Sequence, residues 1–275
     1  MDAMDMLYLA LQAARGLQQS HLYRGGRATN VHADILPSQF LLFAPEVTIG
    51  AEAETEEVWN ERGEGDARNL IGSVVSHEEE KKKKTFYSFD QTAMTRRHHR
   101  NHVLPLVQLN DFNRGKFLTR HTSTNSTCPF RLCDVTHKKS TFRSPEEYDP
   151  KCADQTDSID VFSLGNVFFF LLSDGEKPYY QLRGPKNFPE AVGRIGRGVW
   201  PELPGPEEYY YDDGEDEDDE KVEASFRAGR TDHPAYQALV EVMHKCWAYD
   251  GEKRPTSLEV VVMLEDAVRR IEDIM

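Results

Sequence analysis

Val31–Leu42 reads VHADILPSQFLL. An imidazole and a carboxylate stand two residues apart at His32 and Asp34, a carboxamide follows at Gln39, and the segment runs out into the apolar Phe40-Leu41-Leu42. That ending predicts a short strand. Upstream, Leu7, Leu11, Ala14 and Leu17 recur at three- and four-residue steps, with Ala10 and Ala13 alongside, and predict a helix over residues 4–21. Gly25-Gly26 is expected to break it.

Downstream the character changes. Residues 44–102 open with AEAETEEVWNERGEGD, continue through EEEKKKK and close on RRHHRNH, with few periodic apolar positions. A surface insertion, largely disordered, is expected there, with RRHHRNH as a solvated basic loop. Order should return in the apolar Val103–Leu109, a predicted strand, before a polar, irregular stretch over 111–147. Residues 158–173 predict an almost wholly apolar helix, which belongs in a core. A short helix is expected over 188–198, and a second, acidic insertion over 203–232. Two amphipathic helices follow, over 234–247 and 256–274. In the second, Leu258, Val261, Val262, Leu264, Val268 and Ile271 form the expected apolar stripe, and Thr256 with Glu259 suits a capping box.

The net charge of −14 and the pI near 5.2 argue against general nucleic-acid binding, which needs a basic face. Much of the acid lies in residues 207–223, including DDGEDEDDE from Asp212, for which solvated disorder is the expectation. Four cysteines, Cys128, Cys133, Cys152 and Cys246, fit free thiols in a reducing compartment better than a disulfide framework or a zinc site. The N-terminus lacks a basic n-region and a small-residue cleavage site. The apolar run Ile159–Leu172 contains Asp160, Ser163 and Asn166, too short and too polar for a membrane span. A cytoplasmic protein is expected.

Four further motifs follow in order: Asp111-Phe112-Asn113; Ser144-Pro145-Glu146; Asp160-Val-Phe-Ser-Leu-Gly165; and Cys246-Trp247, then Asp250, then Arg254-Pro255. Together with His32–Gln39 they resemble, in the same order, the large (C-terminal) lobe of the protein kinase superfamily, in a divergent His-Ala-Asp / Asp-Phe-Asn form. The resemblance covers essentially the whole chain outside the two insertions. It implies a mainly α fold over 1–275, a kinase-like C-lobe with short strands at the catalytic loop.

Its implications for chemistry are specific. Asp34 would be the catalytic base, Asp111 the main magnesium ligand, and Gln39 would occupy the place of the second. His32 and Phe112 would stack in a buried spine between the two loops. Glu146 and Arg254 would form a buried ion pair, and Asp160 would hold the backbone of the catalytic loop. The cofactors implied are ATP and Mg2+, and the substrate a protein, with Ser/Thr hydroxyls as the default acceptors. The insertions are candidate surfaces for protein partners.

The departures matter as much. Ala33 stands for the family's arginine, Leu36 for its lysine, Gln39 for its asparagine and Asn113 for its glycine. Losing one cation beside the phosphate commonly costs about 10²–10³ in rate. Asn113 is expected to take the left-handed turn that glycine takes. No G-x-G-x-x-G loop is present, and only 33 residues precede Asp34. The expectation is a chain with the small lobe absent. A catalytically impaired pseudokinase or interaction scaffold is the alternative.

Overall fold

A computed structural model describes residues 1–43, 104–124, 126–132, 140–182, 184, 186–205 and 229–274. The chain divides into two units, Met1–Phe43 with Pro105–Met275, and Ala44–Leu104, and all elements described here belong to the first. The insertion expected over 44–102 lies outside the described residues, as do Cys133 and the acidic run from Asp212.

The described fold is mainly helical, with a few short strands. Helix α1 spans Ala3–His21, capped by the Asp2 carboxylate, which accepts the Asp5 N–H at 2.8 Å. It ends at His21, as the apolar repeat predicts, ahead of Gly25-Gly26. Leu22 takes the left-handed conformation at φ 47° and its N–H closes back on the Gln19 carbonyl.

Among the described residues, four strands form two antiparallel pairs. β1 (Asn30–Val31) pairs with β4 (Lys116–Phe117), and β2 (Phe40–Phe43) with β3 (Leu106–Leu109). The segment from β1 to β2 therefore lies alongside the segment from β3 to β4, so the two connecting loops face each other. Gln12 of α1 fixes β3 in place: its amide oxygen accepts the Val107 N–H at 2.8 Å and its amide nitrogen donates to the Pro105 carbonyl at 3.2 Å.

Among the described residues, the helices after the strands include α2 (Pro145–Tyr148), α3 (Ser158–Leu172), α4 (Phe188–Gly196), α5 (Pro234–Cys246) and α6 (Ser257–Glu272). α3 is apolar on all sides and is the centre of the core, buried from Ile159 to Phe169 and again at Leu172. α1, α5 and α6 pack with it into one apolar cluster that includes Leu7, Leu17, Phe168, Leu239, Leu264 and Trp247. Gly165 allows the closest of these approaches. A methyl there would lie 2.9 Å from Cys246 Cβ and 3.0 Å from the Trp247 ring.

Three expectations need correction. In α6 the buried face is Val260, Val261, Leu264, Ala267, Val268 and Ile271; Leu258 and Val262 point to solvent. The stripe is rotated by the geometry of packing against α1 and α5, which a single apolar repeat does not specify. The insertion expected over 203–232 is shorter at both ends. Leu203 packs on the core, and Arg230 is buried, with both terminal nitrogens on Asp174 at 2.8 and 2.6 Å. Finally, Cys152 is disulfide-bonded, whereas Cys128 and Cys246 are free thiols. Burial pushes the Cys246 thiol up to about 12.

Candidate functional site

The centre of the site is the tight backbone of His32-Ala33-Asp34. Ala33 sits at φ 61°, a conformation that costs an L-residue roughly 1–2 kcal/mol. Asp160, near the start of α3, compensates. Its Oδ2 accepts the His32 N–H at 2.6 Å and its Oδ1 accepts the Ala33 N–H at 2.7 Å. The Asp160 carboxylate is 1% exposed, so these are charge-assisted bonds in a dry setting.

Asp160 is held in turn from α1. The Nε2–H of His21 donates to its Oδ2 at 3.1 Å, while Nδ1 of the same ring lies 2.9 Å from Ser257 Oγ. The Tyr23 hydroxyl is 3.0 Å from that Oγ. The last turn of α1, the first turn of α3 and the first turn of α6 thus converge beneath the loop. His21 and Ser257 are fully buried.

His32 joins this loop to the second one. Its Nε2–H donates to the Asn110 carbonyl at 3.0 Å, and its ring meets that of Phe112 at 4.8 Å between centroids. The Asn110 N–H in turn donates to the Gln39 carbonyl at 2.8 Å. His32 is fully buried, whereas Phe112, expected to be buried with it, is 49% exposed.

The strained position of the second loop also differs from expectation. Asp111, not Asn113, is left-handed, at φ 60°. Aspartate tolerates that region well, and its Oδ1 receives the Asn113 N–H at 3.4 Å. Gln39 ends a 3-10 turn over Pro37–Gln39 and is partly exposed, at the start of β2.

Asp34 itself is not left alone. Arg143 Nη2 donates to its Oδ1 at 2.5 Å, and Arg143 Nη1 donates to the Ala33 carbonyl at 3.1 Å and to Glu147 Oε1 at 2.9 Å. Burial works against the guanidinium charge, yet Glu147 and Asp34 outweigh it and push Arg143 up. Glu147 is anchored by a capping box at the start of α2, accepting the Ser144 N–H at 2.9 Å. Arg114 brings a second guanidinium, 4.0 Å from Asp34 Oδ1.

Glu146 and Arg254 stand apart from these groups and tie α2 to the segment ahead of α6. Arg254 Nη2 lies 2.8 Å from Glu146 Oε1, and the guanidinium also donates to the Ala248, Ser158 and Tyr249 carbonyls. The Arg254 side chain is fully buried, while that of Glu146 is 19% exposed. Gly251 leaves room for the pair, because a methyl there would lie 2.8 Å from Glu146 Oε1.

Sequence reasoning missed His21, Arg114, Arg143, Glu147 and Ser257. One was legible. Ser144-Pro145-Glu146-Glu147 has the same S/T-x-x-E spacing as Thr256–Glu259 and forms the same cap. The others owe their place to long-range packing.

Among the described residues no group of three or more His, Cys, Asp or Glu side chains is placed to hold a metal. Magnesium in a phosphate complex takes one or two carboxylates and fills its other positions with phosphate and water, so the all-oxygen pair of Asp111 and Gln39 fits that chemistry. Nor, among the described residues, is any helix long and apolar enough to cross a membrane.

Over 141 residues the chain is 28% identical to the serine/threonine-protein kinase STY17 of Arabidopsis thaliana. The match covers 50% of this chain and 19% of that protein, a kinase-like relationship over half of the sequence. No family model matches the chain.

Proposed function

We propose that the chain carries the acceptor-side face of a protein kinase, transferring the γ-phosphoryl group of ATP to Ser/Thr hydroxyls of a protein. The observation that carries this reading is the locking of two aspartate-bearing loops against each other. His32 donates to the Asn110 carbonyl and its ring meets that of Phe112 at a tilt of 60°, which brings the Asp34 loop beside the Asp111 loop. Phosphoryl transfer asks little covalent work of a protein; it asks for position and charge.

In this reading Asp34 orients the acceptor hydroxyl and takes its proton. Asp111 and Gln39 would hold magnesium, which supplies charge neutralisation across the phosphates when bound. Asp160 keeps the Asp34 loop in its strained form, and His32 with Phe112 sets the spacing between the loops. Glu146 and Arg254 anchor the segment on which an acceptor peptide would lie. The small remaining exposure of the Asp34 side chain, 17%, keeps bulk water from competing for its oxygens.

A second reading, an impaired kinase that serves as an interaction scaffold, is favoured by one observation: Asp34 is already paired with Arg143 at 2.5 Å. Radiolabel transfer separates the two. A chimaera in which a glycine-rich, lysine-bearing small lobe precedes Met1 is expected to label a generic acceptor protein from γ-labelled ATP and Mg2+. Asp34→Asn should abolish the label. Equal labelling by both proteins overturns Asp34 as the base, and no labelling by either favours the scaffold.

A further inference from the structure

We propose that Cys152 is a redox-responsive cross-linking site, joined within the chain to Cys133, and that the bond restrains the segment whose Arg143 holds Asp34. The sequence has four cysteines: Cys128, Cys133, Cys152 and Cys246. Cys152 is disulfide-bonded, and Cys128 and Cys246 are free thiols. Within one chain that leaves Cys133, which lies outside the described residues, as the partner.

The register of the neighbouring backbone leads to the same pair. Phe130 and Gln155 exchange both backbone hydrogen bonds, at 2.9 and 2.8 Å, as an antiparallel pair. Next to them Arg131 Nε donates to Asp154 Oδ1 at 2.7 Å, and the Leu132 N–H donates to Gln155 Oε1 at 3.3 Å. In an antiparallel pair each step forward on one side is a step back on the other. Three such steps from Phe130 and Gln155 arrive at positions 133 and 152. In a regular ladder that is a non-hydrogen-bonded position, where opposed Cα atoms stand about 4.5 Å apart. A disulfide spans Cα separations of about 4.4–6.8 Å. The pairing ends there, because Cys152 is left-handed at φ 54°.

The bond acts on α2 and, through it, on Asp34. Cys152 is one turn beyond α2: its N–H closes on the Asp149 carbonyl at 2.9 Å, and the Lys151 N–H closes on Asp149 Oδ1 at 2.8 Å. α2 opens with the Ser144–Glu147 capping box, and Glu147 Oε1 accepts from Arg143 Nη1 at 2.9 Å. Arg143 in turn donates to Asp34. Every one of these groups except Asp34 lies between positions 133 and 152. A cross-link that closes this stretch removes open conformations from it, and reduction returns them. Cys152 is partly exposed, so a soluble thiol can reach it. Formation of the bond from two thiols releases two protons and two electrons; oxidised glutathione takes them up and becomes two thiols. This holds whether or not Asp34 serves phosphoryl transfer.

The full chain, kept in oxidised glutathione or in dithiothreitol, tests this by peptide mapping and hydrogen exchange. Non-reducing digestion of the oxidised chain should yield the Cys152 peptide linked to the Cys133 peptide, and reduction should part them. On reduction the amides of Phe130, Glu147 and Gln155 should lose protection about 10- to 100-fold, while those of α5 stay as they were. Cys152→Ser should show the reduced pattern in either medium, and Cys128→Ser should follow the parent. A Cys152 peptide linked to Cys128, to Cys246 or to a second chain overturns the pairing, as does a Cys152 thiol that oxidised glutathione leaves free. Unchanged protection at Glu147 overturns the restraint on α2, and so does an equal loss throughout α5.

Discussion

Replacing Asp160 by alanine tests the structural basis of the site. In the native loop the Asp160 carboxylate accepts two backbone N–H groups, from His32 at 2.6 Å and from Ala33 at 2.7 Å. Each charge-assisted bond is worth about 1.5–3 kcal/mol, so losing both costs about 3–6 kcal/mol. Release of Ala33 from φ 61° returns roughly 1–2 kcal/mol. The net expectation is a loss of about 1–5 kcal/mol, read from urea unfolding at neutral pH. Asp160→Asn keeps one accepting oxygen and should cost about 1–3 kcal/mol. Hydrogen exchange localises the effect, since the amides of His32 and Ala33 should lose protection in Asp160→Ala ahead of those in α5 and α6. A cost below about 1 kcal/mol, with both amides still protected, would refute the claim that Asp160 holds the loop.

Other expectations follow from particular contacts. Arg254→Met should destabilise more than Glu146→Gln, because the guanidinium also serves three carbonyls; breaking such a pair from either side commonly costs about 3–5 kcal/mol, and equal losses in urea unfolding would contradict the ranking. Gly165→Ala should cost about 1–3 kcal/mol by driving a methyl into Cys246 and Trp247, and a thermal midpoint equal to the parent's would count against that packing. Cys246 gives a pH dependence. Its thiol is raised from 9.0 to about 12 in the fold, so its contribution is intact below pH 9 and is lost as the pH climbs towards 12. Between pH 9 and 10 that amounts to about 1 kcal/mol, which Cys246→Ala should remove from the pH slope of unfolding. An unchanged slope would mean that the thiol is not sealed from water.

The helices were legible because burial imposes a period on the sequence. Leu7, Leu11 and Leu17 announce α1, and the unbroken apolar run after Ser158 announces a helix with no solvent face. Capping boxes at Thr256 and Ser144 carry equally local signals. What was not legible depends on contacts between distant segments. Arg143 reaches Asp34 across 109 positions and His21 reaches Asp160 across 139, and nothing near any of these residues encodes the partner. By residue type Asn113 suits the left-handed turn as well as Asp111 does, yet the left-handed backbone falls on Asp111. Either residue type tolerates that region, so residue preference could not choose between them. Leu258 and Val262 fit the apolar stripe by spacing yet point to solvent, because apolar spacing alone does not say which way a helix is rotated.

The central claim is that Asp34 and Asp111 face one reaction centre. Manganese in place of magnesium, titrated with pyrophosphate into isotope-labelled chain and read by nuclear magnetic resonance, measures this most directly. Paramagnetic broadening should appear together at residues 34, 39 and 111, and should vanish from all three in Asp111→Asn. Broadening confined to the acidic run from Asp212, or to one loop without the other, would contradict it.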